Sequence, residues 1–111
     1  MIRRFLIVEA VSFMVAALIH SGRLIAGYEH PRARIAETVI ALVLLVGLAV
    51  TWIRPRALRR AGLVTQGFAL LGTLVGLFTI AIGIGPRTLP DVIYHIVIVI
   101  VLVLGLRAAK G

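Results

Sequence analysis

Four long apolar runs, separated by short breaks that each contain a proline, constrain this chain more than any other feature. The runs cover about residues 5–25, 35–53, 63–84 and 91–106. Crossing a bilayer takes about 20 apolar residues, with a range of about 17–25. The first three runs meet that length, and the fourth meets it if it begins at Asp91 and ends near Arg107. The breaks are Gly27–Arg34, Arg54–Ala61 and Gly85–Pro90. Proline removes a backbone donor and suits a point where a helix stops. Short connections make consecutive helices antiparallel neighbours. The expected fold is therefore all-α: an integral membrane, up-down-up-down four-helix bundle in one domain, residues 1–111.

Composition agrees. The chain is 61% hydrophobic and 14% charged, against about 45–50% and 25% in an ordinary soluble domain. There is no cysteine, which excludes disulfides, thiolate metal sites and a thiol nucleophile. The net charge of +8 would raise the question of nucleic acid in a soluble protein. Here the arginines sit beside the apolar runs, where they set topology and touch anionic lipid, and no nucleic-acid partner is expected. Met1-Ile2-Arg3-Arg4 before an apolar run resembles the start of a signal peptide, but Glu9 interrupts the run, so a retained first helix is expected.

The basic residues orient the bundle. One side would hold Arg3, Arg4, Arg54, Arg56, Arg59, Arg60, Arg107 and Lys110, and the other Arg23, Arg32, Arg34 and Arg87. The excess on the first side makes both termini cytoplasmic. Arg54 to Arg60 then reads as a cytoplasmic anchor to anionic lipid, at about 1 kcal/mol per basic residue.

Depth follows from a rise of about 1.5 Å per residue. His20 falls roughly 8 Å above the midplane, Glu37 roughly 10 Å, Asp91 about 11 Å and His95 about 5 Å. Asp91 and His95 are four apart and share one helix face. Three helices thus place ionisable groups in one outer layer. Ionisable residues within a bilayer are expensive to keep and point to function. Two histidines and two carboxylates suit a divalent metal such as zinc, iron or copper, with His20, Glu37, Asp91 and His95 as ligands. His30 in the outer loop would add a ligand or cover the site. A haem held by His20 and His95 is a second form of the same idea. A third is a polar network that only fixes helix register. Asp91, after Pro90, also suits a helix start.

Glu9 meets the depth of Gln66 in a thinner inner layer, about 8–10 Å below the midplane. A lone carboxylate there suits a proton or cation site, or a neutralised structural group. In the third run, Gly62, Thr65, Ala69, Gly72, Gly76, Thr79 and Gly83 form a small-residue stripe. Such a stripe lets backbones approach closely, either inside the bundle or in a homodimer through Gly72 and Gly76.

Ile19-His20-Ser21-Gly22 at the end of the first helix resembles the DoxX-like group of small four-helix bacterial membrane proteins. So does a second helix that opens on Ala36-Glu37-Thr38, with Gly47 further on, before a basic turn. The resemblance covers about the first two-thirds of the chain, and Asp91 to His95 lies outside it. It implies a subunit of the bacterial cytoplasmic membrane linked to quinone redox chemistry, with Glu37 as the residue carried over. The leading expectation is a membrane protein binding a metal or redox cofactor in its outer half. The alternatives are a proton-coupled transporter acting as a dimer and a structural subunit of a membrane complex.

Overall fold

The computed structural model describes all residues, Met1 to Gly111. It has four α-helices and no strand: α1 (Ile2–His20), α2 (Pro31–Ile53), α3 (Leu58–Ala81) and α4 (Leu89–Lys110). A single 3-10 turn, Pro55–Ala57, leads into α3. Neighbours in sequence are neighbours in space. α1 packs on α2, α2 on α3 and α3 on α4, while α1 and α4 close the ring more loosely.

Each helix buries one stripe. On α1 it is Ile2, Leu6, Glu9, Phe13, Ala16 and His20; on α4 it is Asp91, His95, Ile98, Leu102, Gly105 and Ala109. The alternating steps of four and three are the seam of a bundle whose helices interlock side by side. Leu6, Leu44, Ala69 and Leu102 are fully buried at its centre. The outward faces carry Val8, Met14, Leu42, Val46, Leu71, Phe78, Ile96 and Ile100, all exposed. A soluble protein rarely shows so continuous an apolar surface, which here matches lipid. α2, α3 with the turn before it, and α4 are each long and apolar enough to cross a membrane. α1 is not among them, because it is too short to leave Arg3, Arg4 and Glu9 outside the span. The fourth run, expected to be marginal, forms the most apolar of the three spans.

The helix ends differ from the apolar runs. α1 stops at His20, although the run continues to Ile25, because Gly22 takes a left-handed φ of +76° and turns the chain away. Leu24 and Ile25 are exposed in the loop that follows. α2 starts at Pro31, ahead of Ile35: His30 caps it, its Nδ1 accepting from the Ala33 N–H at 3.1 Å, and proline suits the first turn. α4 starts at Leu89 behind a reciprocal cap between Thr88 and Asp91, and extends to Lys110.

The small residues of α3 are used inside the molecule. A Cβ on Gly72 would stand 2.9 Å from Ile40 Cδ1, and one on Gly76 would stand 3.2 Å from His95 Nε2. A Cβ on Gly62 would meet Ile2 of α1 and Ala109 of α4. Gly72 and Gly76, half-buried, thus pack against the chain's own α2 and α4.

Candidate functional site

His20 closes α1, Glu37 lies in the second turn of α2, and Asp91 opens α4. Their side chains meet. His20 Nδ1 is 2.6 Å from Glu37 Oε1, and His20 Nε2 is 2.9 Å from Asp91 Oδ1. All three are buried. A neutral imidazole has one N–H, whereas both ring nitrogens here face carboxyl oxygens. The trio therefore closes with two protons on the ring, or with one on the ring and one on a carboxyl. Either way it holds one more proton than a neutral histidine beside two carboxylates, for a net charge of −1. Asp91 has a second engagement. Its Oδ2 accepts from the Thr88 hydroxyl and from the Thr88 N–H, the latter at 3.2 Å. The residue is both helix cap and partner of His20.

His95 stands apart from this trio. Its Nδ1 lies 2.7 Å from the backbone carbonyl of Asp91, one turn back on its own helix. A carbonyl only accepts, so the ring proton is on Nδ1, and in the neutral ring Nε2 presents a lone pair. That Nε2 faces Gly76 at the wall of a cavity of about 300 Å³. Phe13, Glu37, Thr73, Gly76, Tyr94 and His95 are among its lining residues. Two polar atoms of this wall, Glu37 Oε2 and the Tyr94 hydroxyl, are buried without a hydrogen-bond partner. The Tyr94 ring is held edge-on between Phe13, at 6.1 Å between centroids, and His95, at 5.6 Å.

His30 also lines the cavity. Its Nε2–H donates to the Ile84 carbonyl at 3.1 Å while its Nδ1 caps α2, so it ties the α1–α2 loop to the α3–α4 loop at the cavity wall. Both of its ring nitrogens are occupied by these bonds.

Of the residues expected in the outer layer, His20, Glu37 and Asp91 converge, and His95 lies beside them on the cavity side. No group of three or more His, Asp or Glu side chains is arranged to hold a metal ion. The free donors are His95 Nε2 and Glu37 Oε2, and His20 has none to spare. Ligation of a metal or haem by His20 would require it to release a carboxylate. Phe13 and Tyr94, which shape the cavity, carry no ionisable signal inside a bilayer. Their trace in the sequence is positional: Phe13 lies one heptad before His20, and Tyr94 adjoins His95. In the inner layer, Glu9 and Gln66 are both fully buried and close together.

No family model, curated protein or solved structure matches the chain.

Proposed function

We propose that the outer cavity binds the ring of a quinol-type compound, and that the chain is the proton-handling membrane subunit of a quinone-linked redox system. The observation that carries this reading is the set of unpaired polar atoms on one cavity wall: Glu37 Oε2, Tyr94 OH and His95 Nε2. Two are acceptors and the third is a hydroxyl able to do either, so the wall suits a ligand with two hydroxyl donors. Size agrees. An engineered apolar cavity of about 150 Å³ takes a benzene ring, and this one, at about 300 Å³, leaves room for ring substituents. Oxidation of a quinol gives a quinone, two protons and two electrons. His95 Nε2 and Glu37 Oε2 would take the protons, and Glu37 is linked through His20 to Asp91 at the outer end of α4. The electrons would pass to a separate redox protein.

The bundle that holds this site is read as up-down-up-down with both termini cytoplasmic. Support comes from Arg3 at the start of α1, which donates to the Thr51 carbonyl at the end of α2 at 2.8 Å. The excess of arginine at that end supports the orientation. In a bacterial cytoplasmic membrane the cavity would then lie in the outer leaflet. The exposed Arg54, Arg56, Arg59 and Arg60 would hold anionic lipid on the inner one.

The test is thermal unfolding of the protein in nanodiscs with a short-chain benzoquinol, the matching quinone, or zinc. Binding to the folded state at 100 times Kd stabilises by about 2.7 kcal/mol. The quinol should stabilise the wild type and not His95→Leu. Stabilisation by zinc alone, with near-stoichiometric metal, would replace this reading with a metal site on His95 and Glu37. No stabilisation by any of the three would reduce the cavity to a packing feature.

A further inference from the structure

Beneath the outer cavity an apolar layer closes the bundle, with Phe13, Leu44, Ala69, Ile98 and Leu102 buried together. Below that layer lies a polar pair that the outer site does not use. Glu9 on α1 and Gln66 on α3 are each 0% exposed. Neither carboxyl oxygen of Glu9 has a hydrogen-bond partner, nor does Gln66 Oε1. The Gln66 amide nitrogen is engaged twice, donating to the Gly62 carbonyl at 3.0 Å and to the Gly105 carbonyl at 3.2 Å. Flipping the amide would set its oxygen against two carbonyls, so its orientation is chemically fixed. The free amide oxygen is then left on the Glu9 side. The point where a Gly105 Cβ would stand is 2.7 Å from Glu9 Oε2, and Gln66 Oε1 lies closer still. Two acceptor oxygens converge on a gap that exists only because residue 105 has no side chain.

No charged side chain answers Glu9. It is the only ionisable residue on α1 between Arg4 and His20. α2 has none between Glu37 and Arg54, α3 none beyond Arg60, and α4 none between His95 and Arg107. The arginines Arg3, Arg4, Arg54, Arg60 and Arg107 lie at the ends of the helices away from the outer cavity, and Arg3 is turned to Thr51. A metal cation would need more oxygens than these three, since hard cations take about six or more. A proton needs one donor and one acceptor, and the gap provides both.

We infer that Glu9 and Gln66 form a proton-binding site, with the Glu9 carboxyl carrying one proton and donating it to Gln66 Oε1. The site is independent of the outer cavity. Along α1, Glu9 lies about 6 Å from Phe13 at the cavity wall and about 16 Å from His20, with the apolar layer between the two sites. Because the gap is made by α1, α3 and α4 together, the proton can leave only when that seam opens, which couples proton release to helix packing.

Infrared difference spectroscopy in lipid vesicles, comparing wild type with Glu9→Gln, tests this at neutral pH. The carbonyl stretch of a hydrogen-bonded protonated carboxyl should be present in the wild type and lost in the variant. Gln66→Leu should keep the band and shift it to the higher frequency of a free carboxyl. A carbodiimide that reacts with protonated carboxyls in apolar surroundings should label Glu9, and sodium should not protect it. Gly105→Ala, which fills the gap, should weaken the band. A spectrum in which Glu9→Gln removes only carboxylate bands overturns the proposal. So does an unshifted band in Gln66→Leu, or sodium protection of Glu9 at fixed pH.

Discussion

Removing the His20 imidazole would leave Glu37 and Asp91 buried with no donor between them. Breaking a buried pair by deleting one partner costs about 3–5 kcal/mol, because the remaining charge is stranded. His20→Ala should therefore lower the unfolding free energy in detergent by roughly that amount. Adding Glu37→Gln to it should recover part of the loss, since a neutral amide tolerates the missing ring. If the double variant is as unstable as the sum of the singles, the pair is not coupled. Tyr94 is the opposite case. Its hydroxyl has no protein partner, so Tyr94→Phe should leave stability within about 0.5 kcal/mol of wild type. The same change should weaken quinol binding several-fold, because one hydrogen bond is worth about 0.5–1.5 kcal/mol. Calorimetric titration with the quinol reads the second effect, and an unchanged affinity would remove Tyr94 from the site. At this scale the sequence was informative about depth and silent about rotation. A fixed rise per residue brings His20, Glu37 and Asp91 to one level, and Glu9 to Gln66. It does not say that His95 turns its Nδ1 to its own backbone and so leaves the trio. Side-chain hydrogen bonds within one turn compete with bonds across helices, and spacing does not distinguish them.

Helices are defined here less by their apolar residues than by what stops them. Hydropathy alone carries α1 on to Ile25, while a left-handed glycine at position 22 ends it at His20. Hydropathy alone begins α4 at Asp91, while the Thr88 cap and Pro90 set its start at Leu89. Apolarity marks what can lie in lipid, and a loop residue such as Leu24 can lie there as well as a helical one. Thr88→Ala removes the hydroxyl half of the reciprocal cap and should cost about 0.5–2 kcal/mol, read by thermal unfolding. The glycines of α3 allow a sharper comparison. Nothing lies within 4 Å of a Cβ built on Gly67, whereas one on Gly62 would stand 2.8 Å from Ile2. Gly67→Ala should stabilise the bundle by about 0.4–1 kcal/mol, the ordinary gain of alanine over glycine in a helix. Gly62→Ala should destabilise it by pushing α1 away. Equal effects at the two positions would mean that the α3 stripe is not the packing seam described here.

For the molecule as a whole, the departure from a soluble protein lies at the surface, which is apolar like the core. The seam is apolar at its centre, with charged and polar residues buried at both ends, and large apolar residues also face outward. Such a body is stable only if its outer face meets lipid, and it has a direction only if its two ends differ. They differ in charge: Arg54, Arg56, Arg59 and Arg60 lie at the end where α1 begins, and Arg87 lies in the loop between α3 and α4. The chain contains no cysteine, so single cysteines report their own position without background. Arg56 and Arg87 are both exposed. Arg87→Cys should react with a membrane-impermeant thiol reagent added to intact cells, and Arg56→Cys should react only after the membrane is opened. The opposite pattern would place the cavity in the inner leaflet, so that protons released by the proposed quinol oxidation would enter the cell. Labelling of both from one side would mean that the chain does not cross the bilayer as an up-down bundle. The orientation therefore decides more than topology. It fixes which compartment would receive the protons of the proposed reaction at His95 and Glu37, and which one lies nearer the Glu9 carboxyl.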